Sequence, residues 1–299
     1  MYPEFELSIN YNYLGTGADY KKDIPMLAKV FKHIRLLIIS YTDDSSTGIP
    51  KWKEVLEFTM KYPFKTITIG LSANPTYITN ANKNDFTDKF THTGTGFAVY
   101  MASIDDGRLV VCGGNEEMFH HDGSISDTQV RAFMRIHMAA IDAVFPGKKT
   151  ISMANGEMFP YYNDFNGSAL PYPWSSGNGV RNGFPSVNLY SYHHGATNSA
   201  TYFYINLSSA CAWFGASNLV VSEYGPDPEG YSDTYWGNKY FYAKQFRQMT
   251  IDIAEHDIKI ATIYNFQDSA FGCMSPGRVY RPHWYSARGE PMPYNVGMR

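Results

Sequence analysis

The chain has 299 residues, 44% of them hydrophobic, with a net charge of −3 and a pI near 6.3. That length holds one large domain or two ordinary ones and buries a core without disulfide or metal staples. The charge argues against a nucleic-acid partner, which needs clustered Lys and Arg, and no run approaches the roughly 18 apolar residues of a membrane span.

Eight short apolar runs alternate with stretches of helical spacing. FELSINYNY (5–13) opens the series, and DYKKDIPMLAKVFKH after it carries Ile24, Leu27, Ala28 and Phe31 at helical intervals. IRLLIISYT (34–42) is followed by IPKWKEVLEFTMKY, with Trp52, Val55, Leu56 and Met60 in the same pattern, and then by KTITIGLSA (65–73). RLVVCGGNE (108–116) precedes SDTQVRAFMRIHMAAIDAVF, a helix opening on a Ser/Asp cap. The last four runs are KTISMANGE (149–157), VNLYSYHH (187–194), LVVSEYG (219–225) and KIATIYNF (259–266), with the helical KYFYAKQFRQMTIDIAEH between the final two.

Strands alternating with helices make βαβ units and a parallel sheet. Eight such units in a chain of this length predict the α/β class, a (β/α)8 TIM barrel, as a single domain over 1–299. The tail from 277 to 299 is expected to pack outside the barrel. An open doubly wound sheet competes, but it favours a Gly-rich turn after the first strand, and YLGTGADY has no GxGxxG.

Cys112, Cys211 and Cys273 lie far apart without CxxC spacing, so they suggest neither a zinc motif nor an obvious disulfide framework. The opening MYPEFELSIN lacks the basic and apolar regions of a signal peptide, which leaves the compartment open, secretion after processing included. Aromatic residues reach 16% against 18% charged. Many fall in loop-like segments such as FPYYNDFNGSALPYPWSSGNG (159–179). They fit stacking on sugar rings, or a loop that packs on itself.

Barrel chemistry sits at the C-terminal ends of the strands. The fourth run ends in Gly114-Asn115-Glu116-Glu117 and the seventh in Ser222-Glu223-Tyr224-Gly225. Glycosidic cleavage needs such a carboxyl pair, one to protonate the leaving oxygen and one to attack the anomeric carbon or activate water.

These motifs, VxGGNE and VVSEYG, resemble the clan A retaining barrel glycosidases. Within that clan the chain is most similar to family 17, the β-1,3-glucanases and glucanosyltransferases. DIPMLAKVFKHIRLLIISYTDD resembles that family's opening helix and strand, and VNLYSYHH its sixth strand. The chain departs from the family after the nucleophile, where Tyr224-Gly225-Pro226 replaces Gly-Trp-Pro, and in NYNYLGTG, which lacks a CYG-like signature. The resemblance implies Glu116 as acid/base and Glu223 as nucleophile, acting by double displacement on β-linked glucan, first of all β-1,3-glucan. Asn115 would bind the hydroxyl beside the reacting carbon, Arg35 would hold Glu223, and Tyr192 and Tyr264 would line the site.

His194 at the end of the sixth strand is expected to bind a hydroxyl. Trp174, Tyr161, Tyr162 and Trp236 are the stacking candidates, while Trp52 and Trp213 fall in helical patterns and read as core. Glu116-Glu117 alone could be a solvated pair, and Glu157 a substrate-binding carboxylate or, as its setting favours, a structural partner of a basic residue; the second strand-end glutamate favours function for Glu116. His120-His121 and His193-His194 lack HxH or HExxH spacing, so no metal or other cofactor is expected. Ser222 lacks the GxSxG elbow of a serine nucleophile.

The expected partner is an oligo- or polysaccharide, with no nucleic acid or membrane, and the expected state a monomer. Other clan A activities (β-mannan, mixed-linkage glucan, galactoside, transglycosylation) and a carbohydrate-binding barrel without catalysis remain as alternatives. A phosphate-binding barrel fits poorly, because YGPDPEGYSDTYW and NFQDSAFGCMSPGR carry acids and aromatics where a Gly-rich loop belongs.

Overall fold

The computed structural model describes residues 5–13, 18–38, 51–71, 78–116, 123–154, 183–191, 199–226 and 239–264. In chain order these form β1 (Glu6–Tyr11), α1 (Tyr20–Val30), β2 (His33–Ile38), α2 (Lys51–Met60), β3 (Thr66–Leu71), α3 (Lys83–Thr91), α4 (Phe97–Ile104) and β4 (Leu109–Asn115). Then come α5 (Asp127–Val144), β5 (Lys148–Ala154), β6 (Gly183–Ser191), α6 (Ser199–Phe214), a 3₁₀ turn (Ala216–Asn218), β7 (Val220–Pro226), α7 (Lys239–Glu255) and β8 (Ile260–Ile263). The strands neighbour one another in chain order, and β8 returns to pair with β1, a (β/α)8 barrel-like topology.

Each predicted strand is present. β6 begins at Gly183, ahead of the predicted 187, and takes in a glycine and a proline, residues uncommon inside strands. Helices α3 and α4 were not predicted. In α3 only Phe86 and Phe90 are buried, too few to show a period, while FAVYMASI in α4 is apolar almost throughout.

Contacts divide the chain into two compact halves, Met1–Arg35 with Asn188–Arg299, and Leu36–Val187, the divides falling inside β2 and β6. In the first half, parallel β1 and β8 set Ser8 beside Thr262 and Ile9 beside Ile263. The Tyr11 hydroxyl donates to Asp23 Oδ2 of α1 at 2.8 Å, so the face carrying Ile9 and Tyr11 looks toward the helices. Alternation puts Glu6, Ser8 and Asn10 on the other, inner face. On β7, Tyr224 stacks on Phe246 of α7 with ring centroids 5.3 Å apart, which marks its side as helix-facing too.

In the second half, α5 is the organising helix. Ser126 and Gln129 close a capping box at its start. Its buried residues, Val130, Phe133, Met134, His137, Met138 and Ile141, recur at three- and four-residue steps, the spacing of one helical face. Two basic side chains satisfy helix-end carbonyls. Arg108 donates to Met60 O (2.6 Å) and Tyr62 O (2.7 Å) beyond α2, and buried Lys149 donates to Phe145 O and Gly147 O (both 2.7 Å) beyond α5. Trp52 is buried against Phe97, as its helical spacing predicts; Trp213, in α6, is half-buried. Cys112 and Cys211 are free thiols.

His137 is wholly buried, ringed by Phe86, Phe90 and Phe133 with centroids 5.0, 4.7 and 5.7 Å away. Burial lowers its pKa to about 4, against an opposing pull from its bond to the Gly113 carbonyl. The unfolded chain takes up this proton near the ordinary value of about 6.5. The neutral ring therefore contributes stability above that pH, which is lost as the pH falls toward 4. In urea titrations the wild type should lose roughly 2 kcal/mol through this group between pH 7 and pH 5. His137→Gln should show a pH slope shallower by about that amount; an unchanged slope would mean the ring is protonated in the native state.

Candidate active site

The first half carries a buried ion pair on its inner face. Arg35 of β2 donates through Nη1 to Glu223 Oε1 of β7. The two residues are only 1% and 3% exposed. The same Nη1 lies 3.4 Å from Asn10 Oδ1 of β1. Isolated charges at such depth are strongly disfavoured, whereas a paired and hydrogen-bonded guanidinium and carboxylate tolerate it. Arg35 therefore fixes where the Glu223 carboxylate sits.

A β-bulge turns Glu223 inward. Val221 pairs with Ala261 and Tyr224 with Ile263, three steps along β7 against two along β8. Strict alternation from Val221 would put Tyr224 inside and Glu223 against the helices; the extra residue reverses this. Beyond the bulge, Tyr264 N–H donates to Tyr224 O at 3.0 Å. A Cβ on Gly225 would stand 3.1 Å from Tyr264 O, so the bare backbone there lets the two strand ends close up.

The second half repeats the device on β4. Cys112 pairs with Thr150 and Asn115 with Ser152, again three steps against two. Asn115 thereby shares a face with Cys112 and is 7% exposed. The residue after it, Glu116, has φ of 57° in the left-handed region, and its N–H donates to Ser152 O at 2.9 Å. A non-glycine residue held there costs roughly 1–3 kcal/mol, a cost that recurs at functional sites. Below it, Thr150 Oγ1 and Ser186 Oγ are 2.9 Å apart and Ser152 Oγ and Ser186 Oγ 3.2 Å, a hydroxyl cluster on the inner side.

Of the residues singled out in sequence, the structure brings Arg35 and Glu223 together, places Asn115 and Glu116 in succession at the end of β4, and sets Tyr264 just past β8. Tyr161, Tyr162, Trp174, Tyr192, His194, Trp236, Glu117, Glu157, the two His pairs, Cys273 and the tail from 277 to 299 lie outside the described residues. Asn10 was missed. Its signal was the polar alternation Ser8, Asn10, Asn12 within an otherwise apolar strand.

No family model and no curated protein matches the chain in sequence. Solved structures do match in fold. A glycoside hydrolase family 5 enzyme from Prevotella bryantii B14 aligns with a TM-score of 0.64 at 15% identity, over 89% of this chain and 90% of that one. A family 5 xyloglucanase from Paenibacillus pabuli has the same TM-score at 12% identity, over 99% of both chains. A GH5 xyloglucanase from Bacteroides ovatus has it at 11% identity, over 98% of this chain and 75% of that one. At these identities the likeness is one of fold, and it agrees with the (β/α)8 barrel-like topology. The three are family 5 proteins and lend no support to the expected place in family 17.

Because Arg35 and Glu223 are buried as a pair, each should cost more to lose alone than with its partner. Arg35→Met should destabilise the chain by roughly 3–5 kcal/mol, since it strands a buried carboxylate, and adding Glu223→Leu should recover much of that. Urea unfolding of the two single variants and the double variant measures the coupling. Simple additivity would show that the two side chains do not depend on each other.

Proposed function

We propose that the chain is a retaining clan A glycoside hydrolase acting on a β-linked glycan, with Glu223 as nucleophile and Glu116 as acid/base. The observation that carries this reading is Glu223 itself: a carboxylate at the end of β7, turned to the inner face by a bulge and held by Arg35. The Asn115-Glu116 pair at the end of β4, presented by a second bulge, supports the complementary role, and the fold shared with family 5 glycoside hydrolases supports the reaction class.

In the first step a carboxylate oxygen of Glu223 attacks the anomeric carbon while Glu116 gives its proton to the departing glycosidic oxygen. The C–O bond breaks and a glycosyl ester forms on Glu223. In the second step Glu116, now a carboxylate, takes a proton from water, which attacks the same carbon and releases Glu223. Arg35 keeps the nucleophile in one orientation through both steps. Asn115 binds the hydroxyl next to the reacting carbon, a contact that tightens in the transition state. On this reading Tyr192, Tyr264 and His194 bind the sugar at the reacting centre, and Tyr161, Trp174 and Trp236 serve as stacking residues for the glycan. The whole chain forms one monomeric catalytic domain.

Xyloglucanases and endoglucanases are among the solved structures that share the fold. Xyloglucan and unbranched glucans are therefore the first substrates to offer, with β-1,3-glucan, mixed-linkage glucan and β-mannan beside them. Incubation with this panel should release oligosaccharides from at least one polymer. The first-formed reducing end, followed by proton NMR, should be the β-anomer. Glu116→Gln should slow cleavage by roughly 10²–10⁴-fold, and Glu223→Gln should abolish the glycosyl-enzyme. An α-anomer as first product would rule out Glu223 as nucleophile. Binding without cleavage by the wild type would identify a carbohydrate-binding barrel instead.

A further inference from the structure

Among the described residues, the register of β4 passes from Cys112 to Asn115, and the bulge spans Gly113 and Gly114. Both carbonyls accept bonds from side chains. His137 Nε2 of α5 donates to Gly113 O at 2.9 Å, and the Cys112 thiol donates to Gly114 O at 3.1 Å. A carbonyl can only accept, so Nε2 carries the hydrogen. Nδ1 then offers its lone pair to Thr87 Oγ1 of α3, 3.1 Å away. Three phenylalanine rings hold the imidazole in that pose. The helix also presses on the bulge directly, because a methyl group on Gly113 would collide with Met138 Sδ, the next residue of α5.

We propose that His137 is a positioning residue for the acid/base, acting through the Gly113 carbonyl, with Cys112 as a second clip on the same bulge. The proposal rests on the reading of Glu116 as acid/base. The bulge sets the face on which Asn115 lies, and Glu116 follows it immediately in a left-handed backbone conformation. A regular strand would need no such support. Here the extra residue interrupts the regular ladder, and the side-chain bonds from His137 and Cys112 brace the interrupted stretch. Freed of them, the segment can relax toward regular alternation and carry Glu116 away from the leaving oxygen.

The test compares substrates that differ in their need for a proton. Departure of 2,4-dinitrophenolate needs little acid assistance, whereas departure of a sugar hydroxyl needs it fully. His137→Leu should lower kcat/KM on the glycan at least about tenfold more than on the 2,4-dinitrophenyl β-glycoside, a part of the full general-acid contribution. His137→Gln, whose amide can still donate to Gly113 O, should restore the ratio to within about threefold of wild type. Should His137→Leu fail to fold, Thr87→Val and Cys112→Ala carry the same comparison, with Cys112→Ser as the rescue. Equal loss on both substrates would overturn the proposal and leave His137 a core residue only. A wild type that cleaves neither substrate would overturn the enzymatic reading and this proposal with it.

Discussion

Burying a guanidinium and a carboxylate together is the constraint around which the first half of the chain is arranged. Arg35 and Glu223 come from β2 and β7, strands far apart in sequence, and neither is tolerable at that depth without the other. Their neighbours on the inner face are accordingly polar: Asn10 bonds Arg35, and Ser8 sits beside Thr262 on the adjoining strand pair. The helix-facing side of the same strands is built differently, from Ile9, Ala261 and Ile263, together with Tyr11 and Tyr224, whose hydroxyls reach partners in α1 and α7. Each strand thus separates an apolar layer that stabilises the fold from a polar layer able to do chemistry.

That separation relies on a side-chain period of two, yet both glutamates sit where the period is broken. One extra residue in β4 and one in β7 turn Asn115 and Glu223 each to the polar face of its own strand. A substitution could place a carboxylate on an inner face without a bulge. A bulge also bends the strand and strengthens its twist, which aims the last residues rather than merely exposing them. At Glu116 the aim extends to the backbone. The other described non-glycine residue with positive φ is Asp257, between α7 and β8, and Asp tolerates that region better than Glu does. The left-handed conformation at Glu116 has no such local excuse and is imposed by the strand end around it.

The strands were legible because short apolar runs bounded by Gly, Pro, Asn and Ser recur eight times, and the helices α1, α2, α5 and α7 because their apolar residues keep helical spacing. Helix α3 was hidden by its polarity and α4 by its uniform apolarity; neither shows a period. The pairing of Arg35 with Glu223 could be anticipated only through a family likeness, since nothing local links residues 188 positions apart. The bulges were harder. Gly113-Gly114 hints at an irregularity in β4, but Ser222-Glu223-Tyr224 in β7 contains no residue that marks one. Asn10 was legible in principle from the polar alternation of β1, Ser8, Asn10 and Asn12.

His137 shows why the division between core and site is not clean. By position it belongs to the apolar stripe of α5, between Met134 and Met138, where leucine would satisfy the helical pattern and avoid burying an ionisable ring. A leucine there would remove the bond to the buried Gly113 carbonyl, a loss of about 0.5–1.5 kcal/mol, and with it a tie between α5 and the strand it supports. The imidazole suits the place because one nitrogen donates to the strand while the other accepts from Thr87, linking α3, α5 and β4 through a single ring. The consequence is a shared dependence. Protonation of that ring would remove the acceptor that meets Thr87 and charge a group enclosed by three aromatic rings, so the acid destabilisation that arises from this ring and the bracing of the β4 end act through the same side chain.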